Sequence, residues 1–144
     1  MNLVYIILAA GLSERFKSKN NNIEKQFYLI NKKSILEICI ENFLELKLDH
    51  KLFIVVSENR YKDAIKICNK YNLTTPLIGG KTRQESVFKA LKKIKKYKPQ
   101  NVIIHDAARP YINKNIIEKL KYNIKNNVSC VVPTLKISDS IIKN

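Results

Sequence analysis

Apolar and polar positions follow two different patterns along the chain. Continuous apolar runs, typical of strands covered on both faces of a parallel sheet, occur at 4–10, 52–56, 76–78, 102–104 and 130–132. Apolar residues at helical spacing lie between these runs, at 34–44, 60–71, 82–98 and 113–126. Strand and helix therefore alternate, which predicts a three-layer α/β fold with a mostly parallel sheet. In such a fold, ligands bind beyond the carboxyl ends of the strands.

Particular residues mark the ends of the predicted helices. Ser34 is a candidate N-cap, and Glu37 completes a capping box three residues later. Thr82 is a candidate N-cap of the lysine-rich helix, and Pro99 follows the end of that helix. Because this helix has an apolar stripe, its lysines are expected on a solvated face. The stripe consists of Ala90, Leu91, Ile94 and Tyr97.

The length and composition indicate an ordinary globular protein. The chain has 144 residues, 45% of them hydrophobic, which fits one domain over residues 1–144. No apolar run approaches the roughly 18 residues of a membrane-spanning helix, and no basic segment of a signal peptide is present. We therefore expect a cytoplasmic protein that binds no membrane. The cysteines are odd in number and lack metal-ligand spacing, so burial is expected for Cys39, Cys68 and Cys130.

The formal net charge of +15 favours partners that carry negative charge. Of the basic residues, 23 are lysine and 4 are arginine, and Lys, Asn and Ile together supply 60 of the 144 residues. The positive charge thus reflects a bias of the whole chain, whereas nucleic-acid surfaces tend to combine arginine with aromatic side chains. We expect no nucleic acid partner, although a basic nucleic-acid-binding module is kept as an alternative.

Residues that are rare in this chain lie close to the predicted strand ends. Glycine allows a positive φ or a close approach of the backbone to a ligand, and the three glycines are Gly11, Gly79 and Gly80. The planar fork of arginine suits phosphate and carboxylate groups, and the arginines near these loops are Arg15, Arg83 and Arg109. Only Arg60 lies elsewhere. The pattern predicts one anion pocket, although the spelling of the first loop excludes a P-loop and a dinucleotide-binding motif.

Five segments together resemble one known family. They read LAAGLSER (8–15), EKQF (24–27), GGKTRQESV (79–87), HDAARP (105–110) and SDSIIK (138–143). Their order and spacing are similar to those of the methylerythritol-phosphate cytidylyltransferases of isoprenoid precursor synthesis. The resemblance implies a Rossmann-like nucleotidyltransferase fold. It also implies Mg²⁺-dependent transfer of a cytidylyl group from CTP to a sugar-alcohol phosphate, with release of pyrophosphate.

The same resemblance implies three groups of site residues. Arg15 and Lys25 would surround the CTP phosphates and act in catalysis. Asp106 would lie by the ribose and hold Mg²⁺, and Ser140 would bind the acceptor phosphate. The nucleotide would bind to Ala9, Ala10, Gly11, Gly79, Gly80, Lys81, Arg83, Ser86, Asp106 and Ala107. His105 is expected to orient the strand end, since a phosphomonoester nucleophile is already ionised at neutral pH and needs no general base.

Two further functions stay open beside this one and the nucleic-acid-binding module. Ribitol-phosphate cytidylyltransferases share the first loop and the GGxTR segment but tend to carry a bulkier residue at the position of Ala108, so Ala108 favours the methylerythritol acceptor. A chain that binds CTP without turnover is the other alternative.

The chain departs from the family pattern in several places. Glu24 stands where proline is usual, Lys81 where aspartate is frequent, and Ser140 where threonine is usual. Family members also continue beyond the position of Asn144, with an arginine and a lysine that grip the sugar phosphate and an arm that forms a dimer. We therefore expect a fold truncated at its carboxyl end and a homodimer of the full-length protein.

Overall fold

A computed structural model describes residues 3–17, 23–47, 51–124 and 128–135. The chain divides into two compact units, Met1–Tyr111 and Ile112–Asn144. Among the described residues, the first unit holds the sheet and four α-helices, and the second holds one α-helix. That residues 1–144 form one nucleotidyltransferase domain stays a prediction.

The central sheet of the first unit is entirely parallel in its described strands. It contains β1 (Leu3–Ala9), β4 (Lys51–Val56), β5 (Leu77–Ile78) and β6 (Asn101–Asp106), in the order β5-β4-β1-β6. A separate antiparallel hairpin consists of β2 (Leu29–Ile30) and β3 (Lys33–Ser34). The predicted mostly parallel α/β architecture is confirmed.

Helices alternate with the strands as the sequence pattern predicts. They are α1 (Glu14–Lys17), α2 (Ile35–Glu45), α3 (Tyr61–Lys70), α4 (Arg83–Ile94) and α5 (Lys114–Asn123). In the part of the chain that the structure describes, short 3-10 turns lie at Lys25–Phe27, Glu58–Arg60 and Lys95–Tyr97. In the second unit, the Asn113 side chain caps α5 by accepting a hydrogen bond from the Asn115 N–H at 2.8 Å.

The predicted helix starts are confirmed by their hydrogen bonds. Ser34 Oγ accepts from the Glu37 N–H at 3.2 Å, and the Glu37 carboxylate accepts from the Ser34 N–H at 2.9 Å, which completes the capping box. Thr82 Oγ1 accepts from the Glu85 N–H at 3.1 Å at the start of α4. These bonds satisfy backbone donors that a helix start otherwise leaves unpaired.

The two faces of β1 pack against different helices, which gives the three layers. Val4, Ile6 and Leu8 are buried in one cluster with Ala90 and Ile94 of α4. On the opposite face, the ring of Tyr5 packs edge-on against Phe43 of α2, with 4.6 Å between ring centroids. All seven residues of β1 are buried, as expected for a strand covered on both sides.

Some expectations from the sequence are wrong. Residues 130–132 do not form a strand, and Val132 is 69% exposed. An apolar run forms a strand only where a neighbouring strand is available for backbone hydrogen bonds. Cys130 is exposed, whereas Cys39 and Cys68 are buried as predicted. Burial raises the pKa of the Cys39 thiol to about 12. Leu91 is exposed although its spacing places it in the apolar stripe of α4, since Ala90 and Ile94 fill the contact with the sheet.

The hairpin of β2 and β3 was not predicted. Its turn consists of Asn31 and Lys32, both with positive φ (50° and 66°). Two consecutive positive φ values are typical of the tight turn that suits a hairpin, and asparagine tolerates this conformation better than most residues. The Asn-Lys spelling is a weak signal because it lacks the glycine that usually marks such a turn.

Candidate active site

The candidate site lies at the carboxyl ends of the parallel strands. Chain order moves from β1 to β4 and β5 on one side and then returns to β6 on the other, so the strand order reverses between β1 and β6. Open α/β sheets bind ligands at such a point. The Ala107 N–H donates to the Leu8 carbonyl oxygen at 2.9 Å, which continues the pairing of β1 and β6 to this edge.

The loop after β1, here called the β1 loop (residues 10–13), presents open backbone. Gly11 is exposed, and a Cβ at this position would meet no atom within 4 Å. Ser13 has a φ of 53°, a conformation that L residues other than Asn and Asp rarely adopt. Positive φ in non-glycine residues is enriched at functional sites, where surrounding contacts hold it in place.

Gln26 provides those contacts from the 3-10 turn at Lys25–Phe27, here called the Lys25 turn. Its amide nitrogen donates to the carbonyl oxygens of Ala9 and Gly11, at 2.8 Å each. Its amide oxygen accepts from Ser13 Oγ at 3.0 Å. Since the Gln26 side chain is buried, it fastens the β1 loop to the Lys25 turn.

Lys25 is exposed beside the β1 loop. An open hollow of about 670 Å³ is lined by Leu12, Ser13, Glu14, Phe16 and Lys25. The structure therefore brings one predicted catalytic cation to the same hollow as the β1 loop. The side chain of Arg15, the other predicted catalytic cation, and the predicted acceptor residue Ser140 lie outside the described part of the chain.

The loop after β5, here called the β5 loop (residues 79–82), packs closely on the β1 loop. A Cβ at Gly79 would lie 2.8 Å from the Ala10 Cβ and 2.7 Å from Ser86 Oγ, closer than real Cβ contacts. A Cβ at Gly80 would collide with the Glu85 side chain. None of the three glycines has a positive φ. Close approach, rather than an unusual backbone conformation, is thus the reason for glycine at positions 79 and 80.

Ser86 is buried and organises the β5 loop. Its hydroxyl oxygen accepts from the Gly80 N–H at 3.0 Å and its hydroxyl donates to the Thr82 carbonyl oxygen at 2.9 Å. The hydroxyl is therefore engaged within the loop. A direct contact of Ser86 with cytosine stays a prediction.

Lys81 and Glu85 complete the β5 loop at its exposed side. The Lys81 N–H donates to the Glu85 carboxylate at 2.8 Å, and Lys89 lies 3.2 Å from the same carboxylate group. The hydrogen bond from the Lys81 backbone, with help from Lys89, lowers the pKa of Glu85. The Lys81 side chain is exposed, so it is available to a ligand.

Asp106 connects the start of α4 to the loop after β6, here called the β6 loop (residues 107–110). Its carboxylate accepts from Arg83 Nη2 at 3.1 Å and lies 3.9 Å from Arg109 Nε. The Asp106 side chain is 35% exposed, so one edge of the carboxylate is accessible from solvent. Arg83 thus joins the start of α4 to the end of β6, and its predicted place at the nucleotide stays a prediction.

His105 contacts the β6 loop rather than the hollow. Its Nε2 donates to the carbonyl oxygen of Arg109 at 2.7 Å. This hydrogen bond supports the predicted structural role of His105 in orienting the strand end.

Gln26 and the pair formed by Glu24 and Arg60 are site residues that sequence reasoning missed. Glu24 is 2% exposed and accepts from Arg60 Nε at 2.7 Å. Two signals in the sequence were available. Glu24 replaces the proline that is usual in the family, and Arg60 is the one arginine that lies away from the glycine loops. Nothing in the spacing indicated that these two residues meet.

The described residues contain no group of three or more His, Cys, Asp and Glu side chains that could hold a metal ion by itself. Mg²⁺ usually binds through one or two carboxylates together with substrate phosphates. The single accessible carboxylate of Asp106 fits that donor set. Within the described ranges, no helix combines the length and the apolar character needed to span a bilayer.

Comparison with known proteins identifies the family. Residues 3–144 match the family model of 2-C-methyl-D-erythritol 4-phosphate cytidylyltransferase, IspD. A bifunctional enzyme IspD/IspF of Pelagibacter ubique is 38% identical over 141 residues, which cover 98% of this chain and 36% of that protein. A 2-C-methyl-D-erythritol 4-phosphate cytidylyltransferase of Thermosipho melanesiensis is 34% identical over 142 residues, which cover 96% of this chain and 60% of that protein.

Solved structures agree on the fold. The 4-diphosphocytidyl-2C-methyl-D-erythritol synthase of Anaerococcus prevotii superposes with a TM-score of 0.66 at 23% identity, over 87% of this chain and 52% of that one. The inositol-1-phosphate CTP transferase of T. maritima superposes with a TM-score of 0.58 at 16% identity, over 74% of this chain and 43% of that one. The chain thus has the nucleotidyltransferase fold and spans between about a third and three fifths of the length of the two relatives described above. It belongs to the 2-C-methyl-D-erythritol 4-phosphate cytidylyltransferase family.

Proposed function

We propose that the protein transfers the cytidylyl group of CTP to 2-C-methyl-D-erythritol 4-phosphate and releases pyrophosphate. The observation that carries this proposal is the convergence of three strand-end loops. Ala10 contacts Gly79, and Arg83 of α4 pairs with Asp106 of β6, at the edge where the strand order reverses. Membership in the family supplies the chemistry that this edge would serve.

In this reaction the protein contributes mainly by positioning the two substrates and by stabilising negative charge, and it forms no covalent bond with them. An oxygen of the acceptor phosphate attacks the α-phosphorus of CTP, the new P–O bond forms, and the bond to the β-phosphate oxygen breaks as pyrophosphate leaves. The acceptor phosphate is already ionised at neutral pH, so no general base is required. Holding two anions together and stabilising the added negative charge are the remaining tasks.

The site residues predicted from the sequence are suited to these tasks. The open backbone at Gly11 would let phosphate oxygens approach the N–H groups of the β1 loop. Lys25, which lines the same hollow, would neutralise charge on the triphosphate, with Arg15 as the second cation. The Gly80 turn and Lys81 would lie by the cytosine, and Asp106 with Ala107 would lie by the ribose. Ser140 would bind the acceptor phosphate.

A magnesium ion completes the proposal. Asp106 would hold the ion together with phosphate oxygens of CTP. When bound, the ion supplies positive charge that offsets the charge of the phosphates. We further propose that the enzyme is cytoplasmic and that it forms a homodimer. Size-exclusion chromatography with light scattering on the intact protein would test the homodimer.

The test compares acceptors under identical conditions. Pyrophosphate release is measured with CTP and Mg²⁺ and either 2-C-methyl-D-erythritol 4-phosphate or ribitol 5-phosphate. The proposal predicts faster release with the methylerythritol compound. Faster release with ribitol 5-phosphate would overturn the choice of acceptor, and CTP binding in calorimetry without product from either acceptor would show a nucleotide-binding protein without turnover.

A further inference from the structure

We propose that the buried ion pair of Glu24 and Arg60 is a positioning device that holds Lys25 at the nucleotide site. The inference rests on the proposed function, since it concerns how this chain presents its catalytic lysine. Glu24 and Lys25 are adjacent, but Glu24 is 2% exposed whereas Lys25 is exposed.

The ion pair is short and desolvated on the carboxylate side. Arg60 Nε donates to Glu24 Oε2 at 2.7 Å, and Arg60 Nη2 lies 2.6 Å from the same oxygen. Asn59 Nδ2 donates to Glu24 Oε1 at 3.4 Å. Arg60 also lies over the ring of Phe27, 5.2 Å from its centroid. The hydrogen bond to Glu24 raises the pKa of Arg60 further above its usual value. The guanidinium thus contacts both the residue before Lys25 and the last residue of the Lys25 turn.

Lys25 is held from both sides by these anchors. Glu24 joins the Lys25 turn to the start of α3, and Gln26 joins it to the carbonyl oxygens of the β1 loop. These contacts restrain the backbone at Lys25 relative to the β1 loop. Precise placement matters for catalysis, because a misplacement of about 1 Å can cost on the order of 10²-fold in rate.

Arg60 acts through Glu24 rather than on a ligand. Three of its nitrogen atoms are engaged, two by Glu24 and Nη1 by Asp63 at 3.2 Å. Removing the guanidinium would leave the buried Glu24 carboxylate without this arginine, a costly state that protonation of Glu24 or its rotation toward water would relieve. That movement would carry the adjacent Lys25 away from the hollow.

The experiment measures kcat and KM for CTP in the intact protein carrying Arg60→Met, Lys25→Met, or both. Arg60→Met is expected to lower kcat by about 10-fold or more, and Lys25→Met by about 10²- to 10³-fold. The kcat of the double variant is expected to match that of Lys25→Met within about twofold. Once the lysine side chain is absent, losing the ion pair that positions it should have no further effect. Independent, multiplying effects of the two substitutions would overturn the proposal.

Two further variants separate positioning from general stability. Asp63→Asn removes the other, 49% exposed partner of the same guanidinium and is expected to leave kcat within about twofold of the wild type. A decrease as large as that of Arg60→Met would contradict the proposal.

A second variant is needed if Arg60→Met folds poorly. The double variant Glu24→Pro/Arg60→Met removes the buried carboxylate together with its arginine partner. Because Glu24 has a φ of −65°, which proline's ring imposes, this double variant is expected to recover at least half of the lost kcat. Failure to recover activity in a folded double variant would overturn the proposal.

The outcome is distinguishable from failure of the proposed function. If the wild type releases pyrophosphate with neither acceptor, the proposed reaction fails, whereas the ion pair is then tested by CTP affinity in calorimetry. Lys25→Met and Arg60→Met should each weaken CTP binding, and their combination should weaken it no more than Lys25→Met alone. Unchanged affinity in Arg60→Met would contradict the positioning role in that case.

Discussion

Gly79 and Ala10 lie in loops that follow different strands, yet a methyl group on Gly79 would come within 2.8 Å of the Ala10 Cβ. This contact joins the loop that would receive the phosphates to the loop that would receive the base. The site therefore depends on a close approach of two backbones, and a single added carbon is a sufficient probe of it.

Gly79→Ala is expected to destabilise the protein by about 1–3 kcal/mol, because the added Cβ overpacks against Ala10 and Ser86. CTP affinity should decrease as well, since the two loops must separate. Urea unfolding and calorimetry with CTP measure the two effects. Gly11→Ala is the matched control for stability, because its Cβ would meet no atom within 4 Å. Equal destabilisation by both substitutions would contradict this interpretation.

Gln26→Ala is expected to cost about 1–3 kcal/mol of stability, because the buried carbonyl oxygen of Ala9 and the partly buried one of Gly11 lose their donor. The β1 loop should also lose its order, which would lower CTP affinity. Urea unfolding and backbone amide exchange of residues 10–13 measure these effects. Gln84→Ala, at an exposed position of α4, is the control and should change neither quantity. Retained protection of the β1 loop in Gln26→Ala would be inconsistent with its proposed role.

Asp106→Asn is expected to lower kcat by about 10²-fold or more, because a carboxylate that would hold Mg²⁺ and brace Arg83 is neutralised. Its effect on stability should stay below about 1 kcal/mol, since the ion pair with Arg83 is largely exposed. Steady-state kinetics over a range of Mg²⁺ concentrations and a thermal melt measure the two quantities. Glu118→Gln breaks an exposed ion pair with Lys121 and serves as the control. Unchanged kcat in Asp106→Asn would exclude the residue from the site.

Acid should remove the stabilisation that Glu37 provides. Burial tends to raise the pKa of Glu37, but hydrogen bonds from Lys70 and Ser34 outweigh it, and the pKa lies below its ordinary value of 4.5. A lowered pKa stabilises the folded state above pH 4.5, and this contribution disappears as the pH falls through the lowered value. Glu37→Gln should therefore be less stable than the wild type at pH 7, and this difference in stability should be smaller at pH 3. Urea unfolding at both values tests the sign, with Glu45→Gln at the exposed end of α2 as the control.

Local signals in the sequence predicted much of the fold. Ser34 and Thr82 cap helices as expected, because capping depends on residues only three positions apart. The apolar runs located β1, β4, β5 and β6 for the same reason, since each run is local. The run at 130–132 failed because a strand needs a neighbour, and the pattern of a run says nothing about its neighbour.

The contacts that organise the candidate site could not be predicted in this way. Gln26 reaches Ala9 and Gly11 across 17 and 15 residues, and Arg60 reaches Glu24 across 36. The packing of the first unit brings these residues together although they are far apart in the sequence. The hydrophobic periodicity of the sequence does not predict such long-range contacts. The rare glycines pointed to the right loops, but the reason at Gly79 is a close approach that only the folded chain shows.

The most direct test of a single triphosphate pocket is a titration of the isotope-labelled protein with CTP, followed by backbone amide chemical shifts. We predict that the largest changes occur together at Gly11, Gly80 and Ala107, one residue in each strand-end loop, and saturate with one affinity. Lys51 and Thr74 line a separate cavity of about 280 Å³ at the opposite end of β4 and should not respond. Changes confined to one loop, or centred on that opposite cavity, would contradict a shared pocket for the three loops.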